Sequence, residues 1–124
     1  MNAATLLLLI FAGGAAGAVS RFHLVRLMER HAGLVAWLGI LIVNVLGCLV
    51  IGILAAVISA EPAAKALLIT GLLGGFTTFS TAMLDAWILR LRCELELFLV
   101  AFIGTPLLGI PAAALGLAIG GGLG

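Results

Sequence analysis

The chain has 124 residues, of which 65% are hydrophobic and only 9% charged, and its mean hydropathy is +1.40. Soluble domains carry about 25% charged side chains, so this chain lacks the polar surface that a water-facing fold needs, and its solvent is lipid. A formal net charge of +1 supplies neither a basic patch for nucleic acid nor an acidic tail.

Charged residues divide the chain into membrane-length blocks. None falls between Met1 and Ser20, Ala32 and Ala60, Ala66 and Leu84, or Leu97 and Gly124. A helix rises about 1.5 Å per residue, so about 20 residues cross a hydrocarbon core of roughly 30 Å. Each block suffices for one crossing and none for two. The sequence therefore predicts an all-α integral membrane protein with four transmembrane helices, multi-pass, in a single domain over residues 1–124 with no room for a soluble appendage.

The first block holds the run Leu6-Leu-Leu-Leu-Ile10, followed by small residues from Ala12 to Ala18. No Lys or Arg precedes the run, so it reads as a retained span and not as a cleaved secretory leader. Gly13 and Gly17 lie four apart, as do Gly71 and Gly75, and each pair opens a smooth strip on one helix face. In lipid such strips let backbones approach closely, within one chain or within a dimer. Arg21 closes the block, where it can snorkel to headgroups or place positive charge at a vestibule that draws anions. The first connection is predicted from Arg21 to His31, beginning at most with one further helical turn.

Near the centre of the second block stands Asn44, in Leu41-Ile-Val-Asn-Val-Leu-Gly47. Polar groups inside spans are costly and mark pathways or interhelical bonds. The Asn44 amide can donate to an anion or bind a neighbouring helix, and both readings stay open. A short connection around Ser59–Ala63 follows, with Pro62 suited to the first turn of the next helix.

The third block is the most polar. Gly74-Gly75 precedes Thr77, Thr78, Ser80 and Thr81, with Phe76 and Phe79 among them. Paired glycines weaken a helix, and Ser and Thr can satisfy backbone groups freed by a break. The alternative is an ordinary helix whose hydroxyls bond back to the carbonyl four residues earlier. A mid-membrane break, if present, exposes carbonyls at one end, suited to a small cation, and N–H groups at the other, suited with hydroxyls to an anion. The Phe79 ring edge can face an anion through its positive quadrupole, although packing is the ordinary role of a membrane Phe. The third connection is predicted from Arg90 to Glu96.

No enzyme constellation is evident. Gly71-Leu-Leu-Gly-Gly75 lacks the Lys-Ser/Thr of a phosphate-binding loop, and His23 and His31 lack metal-ligand companions. Cys48 and Cys93 show no metal or redox spacing. Asp85, Glu94 and Glu96 are read at helix ends, in solvated or salt-bridged roles. A proton-coupled small multidrug-type transporter needs a membrane carboxylate, and no acid lies central to any block. A structural subunit of a larger membrane complex would explain the glycine faces but not the hydroxyl run.

Taken in order, three elements resemble the Fluc/CrcB family of fluoride-specific ion channels, covering three of four helices. Gly13-Gly-Ala-Ala-Gly-Ala-Val-Ser-Arg-Phe22 is similar to the family's GGxxGAxxRY, with Phe for Tyr. Val43-Asn44 with Gly47 resembles the helix-two element, and Gly74 to Thr81 the GGxTTFST signature, which puts the helix-three break near its middle. The resemblance implies passive, fluoride-selective export across the cell (inner) membrane by an antiparallel, dual-topology homodimer with two pathways. It also implies a structural Na+ that is not transported, held at the dimer centre by the backbone carbonyls of Gly74 and Thr77. Asn44 would then line the pore, Phe79 would offer its ring edge to fluoride, and Arg21 would sit at the vestibule. Ser80 and Thr81 would place hydroxyls near the path.

The chain departs from that pattern in three ways. The family's second pore Phe is Ala82 here, and the polar track of helix four reduces to Thr105 beside Pro106. Arg21, Arg26, Arg30, Arg90 and Arg92 gather at connections one and three, against Lys65 alone at the second. The positive-inside rule then favours loops one and three in the cytoplasm and both termini outside. A dual-topology homodimer needs an almost unbiased chain, so a heterodimer with a paralogous subunit inserted the other way up is a second assembly to consider.

Overall fold

The computed structural model describes residues 2–58 and 60–123. Helices α1 (Ala3–Ala32), α2 (Ala36–Val57), α3 (Pro62–Leu91) and α4 (Leu95–Leu123) are each long and apolar enough to cross a membrane. No strand occurs among the described residues. The protein is a multi-pass membrane protein, as composition requires.

Asn2 caps α1, its side chain accepting from the Thr5 N–H and hydroxyl, each at 2.8 Å. The helix then runs 30 residues, about 45 Å, and the loop expected from Arg21 to His31 is helical throughout. Phe22, Leu24, Val25, Leu27 and Met28 keep the stretch apolar enough to continue, and no Gly or Pro interrupts it. Val25 and Met28 lie over Gly39 of α2. Gly33, at φ +64°, ends the helix, its N–H donating to the Met28 carbonyl, because only glycine takes that conformation without strain. The first connection thus contracts to three residues, Gly33–Val35. Pro62 stands in the first turn of α3 as expected, while Ser59 lies outside the described residues. The third connection also contracts, to Arg92–Glu94. Asp85 does not lie at a helix end but within α3, with Oδ2 buried and without a hydrogen-bond partner among the described residues.

Short connections make sequence neighbours antiparallel, yet the closest packing joins helices two apart, which run parallel. Along α1 and the first half of α3, Gly13 meets the Leu67 carbonyl and Gly71, Gly17 meets the Leu72 carbonyl, and Gly75 meets Gly14. Along α2 and α4, Gly52 meets the Ala113 carbonyl, Gly116 the Leu49 carbonyl and Gly120 the Ile53 carbonyl. At each position a methyl group would strike partner backbone. Both glycine pairs singled out in the sequence therefore close one intrachain seam. Gly116 and Gly120 on α4 supply a second that was not singled out.

α3 changes partner midway. Its first half begins at Pro62 and widens into i→i+5 turns over Lys65–Leu73 before a last α turn at Gly74–Phe76. Such wide turns accommodate local packing demands, here against α1. Thr77 (φ −79°, ψ 156°) and Thr78 (φ −150°, ψ 126°) are extended, and Phe79–Leu91 resumes the helix. This second half packs on α4 instead, with Ala86 and Leu89 against Ala101, flanked by Trp37 and Phe98. The expected break is present, displaced to the threonines from the glycine pair. Gly74 stays helical (φ −62°, ψ −36°), and Gly75 is needed where Gly14 approaches. β-branched Thr77 and Thr78 suit the extended conformation.

Candidate functional site

The break is held from α2 by one side chain. Asn44 Nδ2 donates to the Thr78 carbonyl and Asn44 Oδ1 accepts from the Thr78 N–H, both at 2.8 Å. This reciprocal pair copies what a neighbouring strand offers an extended residue, and it satisfies a backbone unit that no helix serves. Asn44 is 3% exposed, so the exchange takes place in the protein interior. One helical turn later, Gly47 leaves the space that the Thr77 methyl occupies. The Asn44-xx-Gly47 spacing thus reads two successive residues of the break. The sequence alone assigns Gly47 no task, and its spacing from Asn44 is the signal that carries one.

From α1, Arg21 Nη1 donates to the carbonyls of Gly75 and Thr77, each at 3.0 Å. The C-terminal end of a helix carries partial negative charge, and a cation there is favourable. Arg21 therefore lies on the carbonyl end of the first half-helix.

α3 itself supplies the remaining bonds. Thr77 donates to the Leu73 carbonyl from both its N–H (2.9 Å) and its hydroxyl (3.0 Å). Thr78 Oγ1 accepts from the Thr81 N–H at 3.3 Å, donates to Thr81 Oγ1 at 3.2 Å and lies 3.3 Å from Ser80 Oγ. Thr78 is thus the N-cap of the second half-helix, a position that favours hydroxyl side chains.

These bonds redistribute the backbone groups at the break. In an uninterrupted helix the Thr78 N–H would serve the Gly74 carbonyl, but Asn44 takes it, and Gly74 is released from its helical donor. Across the break, the first turn of Phe79–Leu91 presents N–H groups that its own helix cannot satisfy, at that helix's positive pole. Phe79 stands in this turn with 76% of its surface exposed. It borders a cavity of about 200 Å³ with Asn44, Cys48, Thr77 and Thr105, and an apolar groove of about 420 Å³ with Met83, Phe102 and Pro106. Thr105 lines both, and its Oγ1 is buried without a hydrogen-bond partner among the described residues. Ala82, one turn beyond Thr78, is buried.

Arg21, Asn44, Gly74, Thr77, Phe79, Ser80 and Thr81 therefore converge on one break from three helices. Of the residues set aside in the sequence, Cys48 borders the cavity at the break and the others lie elsewhere. His23 and His31 line a shallow surface groove on the extension of α1, and Asp85 borders a cleft with Glu29, Trp37, Arg92 and Glu94. No cluster of three metal-ligating side chains occurs among the described residues. A small hard cation at the break would be held by neutral oxygens, backbone carbonyls or the hydroxyls beside them. The carbonyl chemistry fits one: of the expected pair, Thr77 already accepts from the Arg21 guanidinium, as does neighbouring Gly75.

The model of the family described as CrcB-like protein, Camphor Resistance (CrcB), matches residues 8–117. The Fluoride-specific ion channel FluC of Aquifex aeolicus (strain VF5) is 41% identical over 112 residues, covering 87% of this chain and 90% of that protein. That of Rhizobium leguminosarum bv. trifolii (strain WSM2304) is 41% identical over 119 residues, covering 90% and 93%. The Parabacteroides distasonis protein of the same name is 36% identical over 115 residues, covering 90% of each chain. All three are named as channels, a transport class and not an enzyme class.

Proposed function

The chain belongs to the CrcB family, and from that premise we propose that it is a fluoride-selective channel carrying the ion passively across the cell (inner) membrane. The observation that best supports this reading is the break in α3, where Asn44 and Arg21 occupy backbone groups of Thr77 and Thr78 from two other helices. A small anion inside a bilayer must exchange its water for donors that hold it weakly enough to release it. The second half-helix offers such donors: first-turn N–H groups, the hydroxyls of Ser80 and Thr81, and the exposed edge of Phe79. Asn44 Nδ2 carries a second hydrogen beyond the one given to Thr78, and on this reading it faces the ion. Movement down a gradient needs no nucleotide and no redox group.

The carbonyls of Gly74 and Thr77 would hold a structural Na+. Asn44 frees the first from its helical donor. The extended backbone of Thr77 turns the second out of the helix, where one lone pair accepts from Arg21 and the other would face the ion. Two oxygens from one chain leave a cation incompletely coordinated, so the site calls for the same break from a second chain. Bound there, the ion would tie the two breaks together without being transported. An antiparallel homodimer supplies this, as does a heterodimer with a paralogous subunit. The bias of Arg21, Arg26, Arg30, Arg90 and Arg92 against Lys65 is the observation that favours the heterodimer.

Anion efflux from liposomes holding the purified chain tests the proposal. Fluoride should leave, chloride should stay, and replacing sodium should stop the flux. Equal rates for the two anions overturn the assignment. Flux restored only by a co-expressed paralogue selects the heterodimer. Stable co-purification with a large partner and no flux in any assay would identify a structural subunit.

A further inference from the structure

Gly13, Gly17 and Arg21 repeat every four residues on one face of α1, and each meets the next stretch of α3 backbone. Gly13 lies at Leu67 and Gly71, Gly17 at Leu72 and Phe76, and Arg21 at Gly75 and Thr77. We propose that Arg21 is a positioning residue that sets the electrostatic sign of the break, acting on the ion through two carbonyls without touching it.

The two acceptors belong to different backbone conformations. Gly75 sits in the last helical turn and Thr77 is extended. One nitrogen bridging both fixes the turn between them, so α1 sets the direction of the Thr77 carbonyl. The glycine seam makes this contact reproducible, because backbone against backbone at Gly17 leaves α1 no freedom to slide.

A broken helix offers two ends of opposite sign in one place. Bare carbonyls at Gly75 and Thr77 would repel an anion and offset the attraction of the N–H groups beginning at Phe79. The Arg21 guanidinium sets a full positive charge against one lone pair of each. The amide end is then left to act on the anion. Only Nη1 makes the contact, so a Lys ammonium retains the essential chemistry and a neutral amide does not.

Hydrogen exchange on the full chain in lipid nanodiscs reads the positioning without any ion flux. Arg21→Gln should speed exchange of amides 77–81 by about tenfold or more, since the charge-assisted bonds to both Gly75 and Thr77 are lost. Arg21→Lys should stay near the wild type. Arg26→Gln, the same charge change at a side chain lying over the Phe22 ring, should alter nothing at the break. Unchanged exchange in Arg21→Gln overturns the proposal. So does equal loosening along the α2–α4 seam, and so does Arg21→Lys exchanging as fast as Arg21→Gln. The flux arm rests on the channel reading: fluoride efflux should fall about tenfold in Arg21→Gln and recover in Arg21→Lys. Wild-type efflux from Arg21→Gln overturns the electrostatic role. A wild-type chain that passes no fluoride yet shows the expected exchange pattern would defeat the channel reading and leave Arg21 as the residue that holds the break.

Discussion

The two glycine seams are built alike and end differently. Gly13, Gly17, Gly71 and Gly75 bring α1 onto the first half of α3, while Gly52, Gly116 and Gly120 bring α2 onto α4. In both, parallel helices approach until glycine Cα and partner carbonyl oxygens touch, a contact that adds weak Cα–H···O attraction to dispersion. The α2–α4 seam continues as helix through Pro106 and Pro111. The α1–α3 seam stops at Gly75, and α3 leaves for α4 two residues later. The break is therefore a change of packing partner, made where one seam finishes and an apolar contact at Ala86 and Leu89 takes over. Close packing gives both seams their stability, and only the one that terminates gives the molecule polar chemistry.

The comparison can be broken most severely at Gly17. Gly17→Leu forces the two backbones apart and should cost about 3 kcal/mol or more, read as failure to recover folded protein or as a large drop in Tm. Asn44→Ala should come next, at about 2–4 kcal/mol, since it strands both the N–H and the carbonyl of Thr78 away from water. Thermal unfolding gives the size, and anion efflux should fall with it. Gly116→Ala should cost about 1–3 kcal/mol but leave the ratio of fluoride to chloride efflux unchanged in the protein that folds. Loss of fluoride selectivity in Gly116→Ala would erase the distinction between the seams. The smallest effect is expected at Thr105. Its buried hydroxyl has no partner among the described residues, so Thr105→Val should alter stability by at most about 1 kcal/mol and can raise it. Reduced fluoride efflux at unchanged Tm would place that hydroxyl on the path.

Much of the architecture was legible because lipid imposes a simple grammar. Charge-free blocks gave four helices, and glycines four apart gave close-packing faces on α1 and α3, whose mutual pairing only the structure supplies. Where the reading failed, a tertiary contact had overruled a local signal. Arg26, Glu29 and Arg30 look like a loop, but the apolar residues between them keep α1 helical to Gly33. Gly74-Gly75 looks like the weak point, yet α1 packs against it and holds it in helix, so the chain opens at Thr77 and Thr78. At the site, the side chains were legible and their partners were not. Arg21 and Asn44 bind main-chain atoms, and a sequence does not display which carbonyl has lost its helical donor. The Asn44 amide bonds the Thr78 backbone, a partner that no sequence pattern displays. The packing of Gly47 against the Thr77 methyl was hidden for the same reason.

The order of the anchors along the chain has a consequence for how the protein is made. Arg21, Asn44 and Gly47 all precede Thr77, so synthesis from the N-terminus delivers every clamp before the segment it grips. When α3 emerges, α1 and α2 already stand in the bilayer as a template, and the nascent strand can be bent as it arrives. Only α4 comes later, and it receives the half of α3 that the template leaves free. A chain that inserted α3 ahead of its clamps would offer the membrane an unserved pair of extended residues, so the biosynthetic order protects the least lipid-compatible stretch of the molecule.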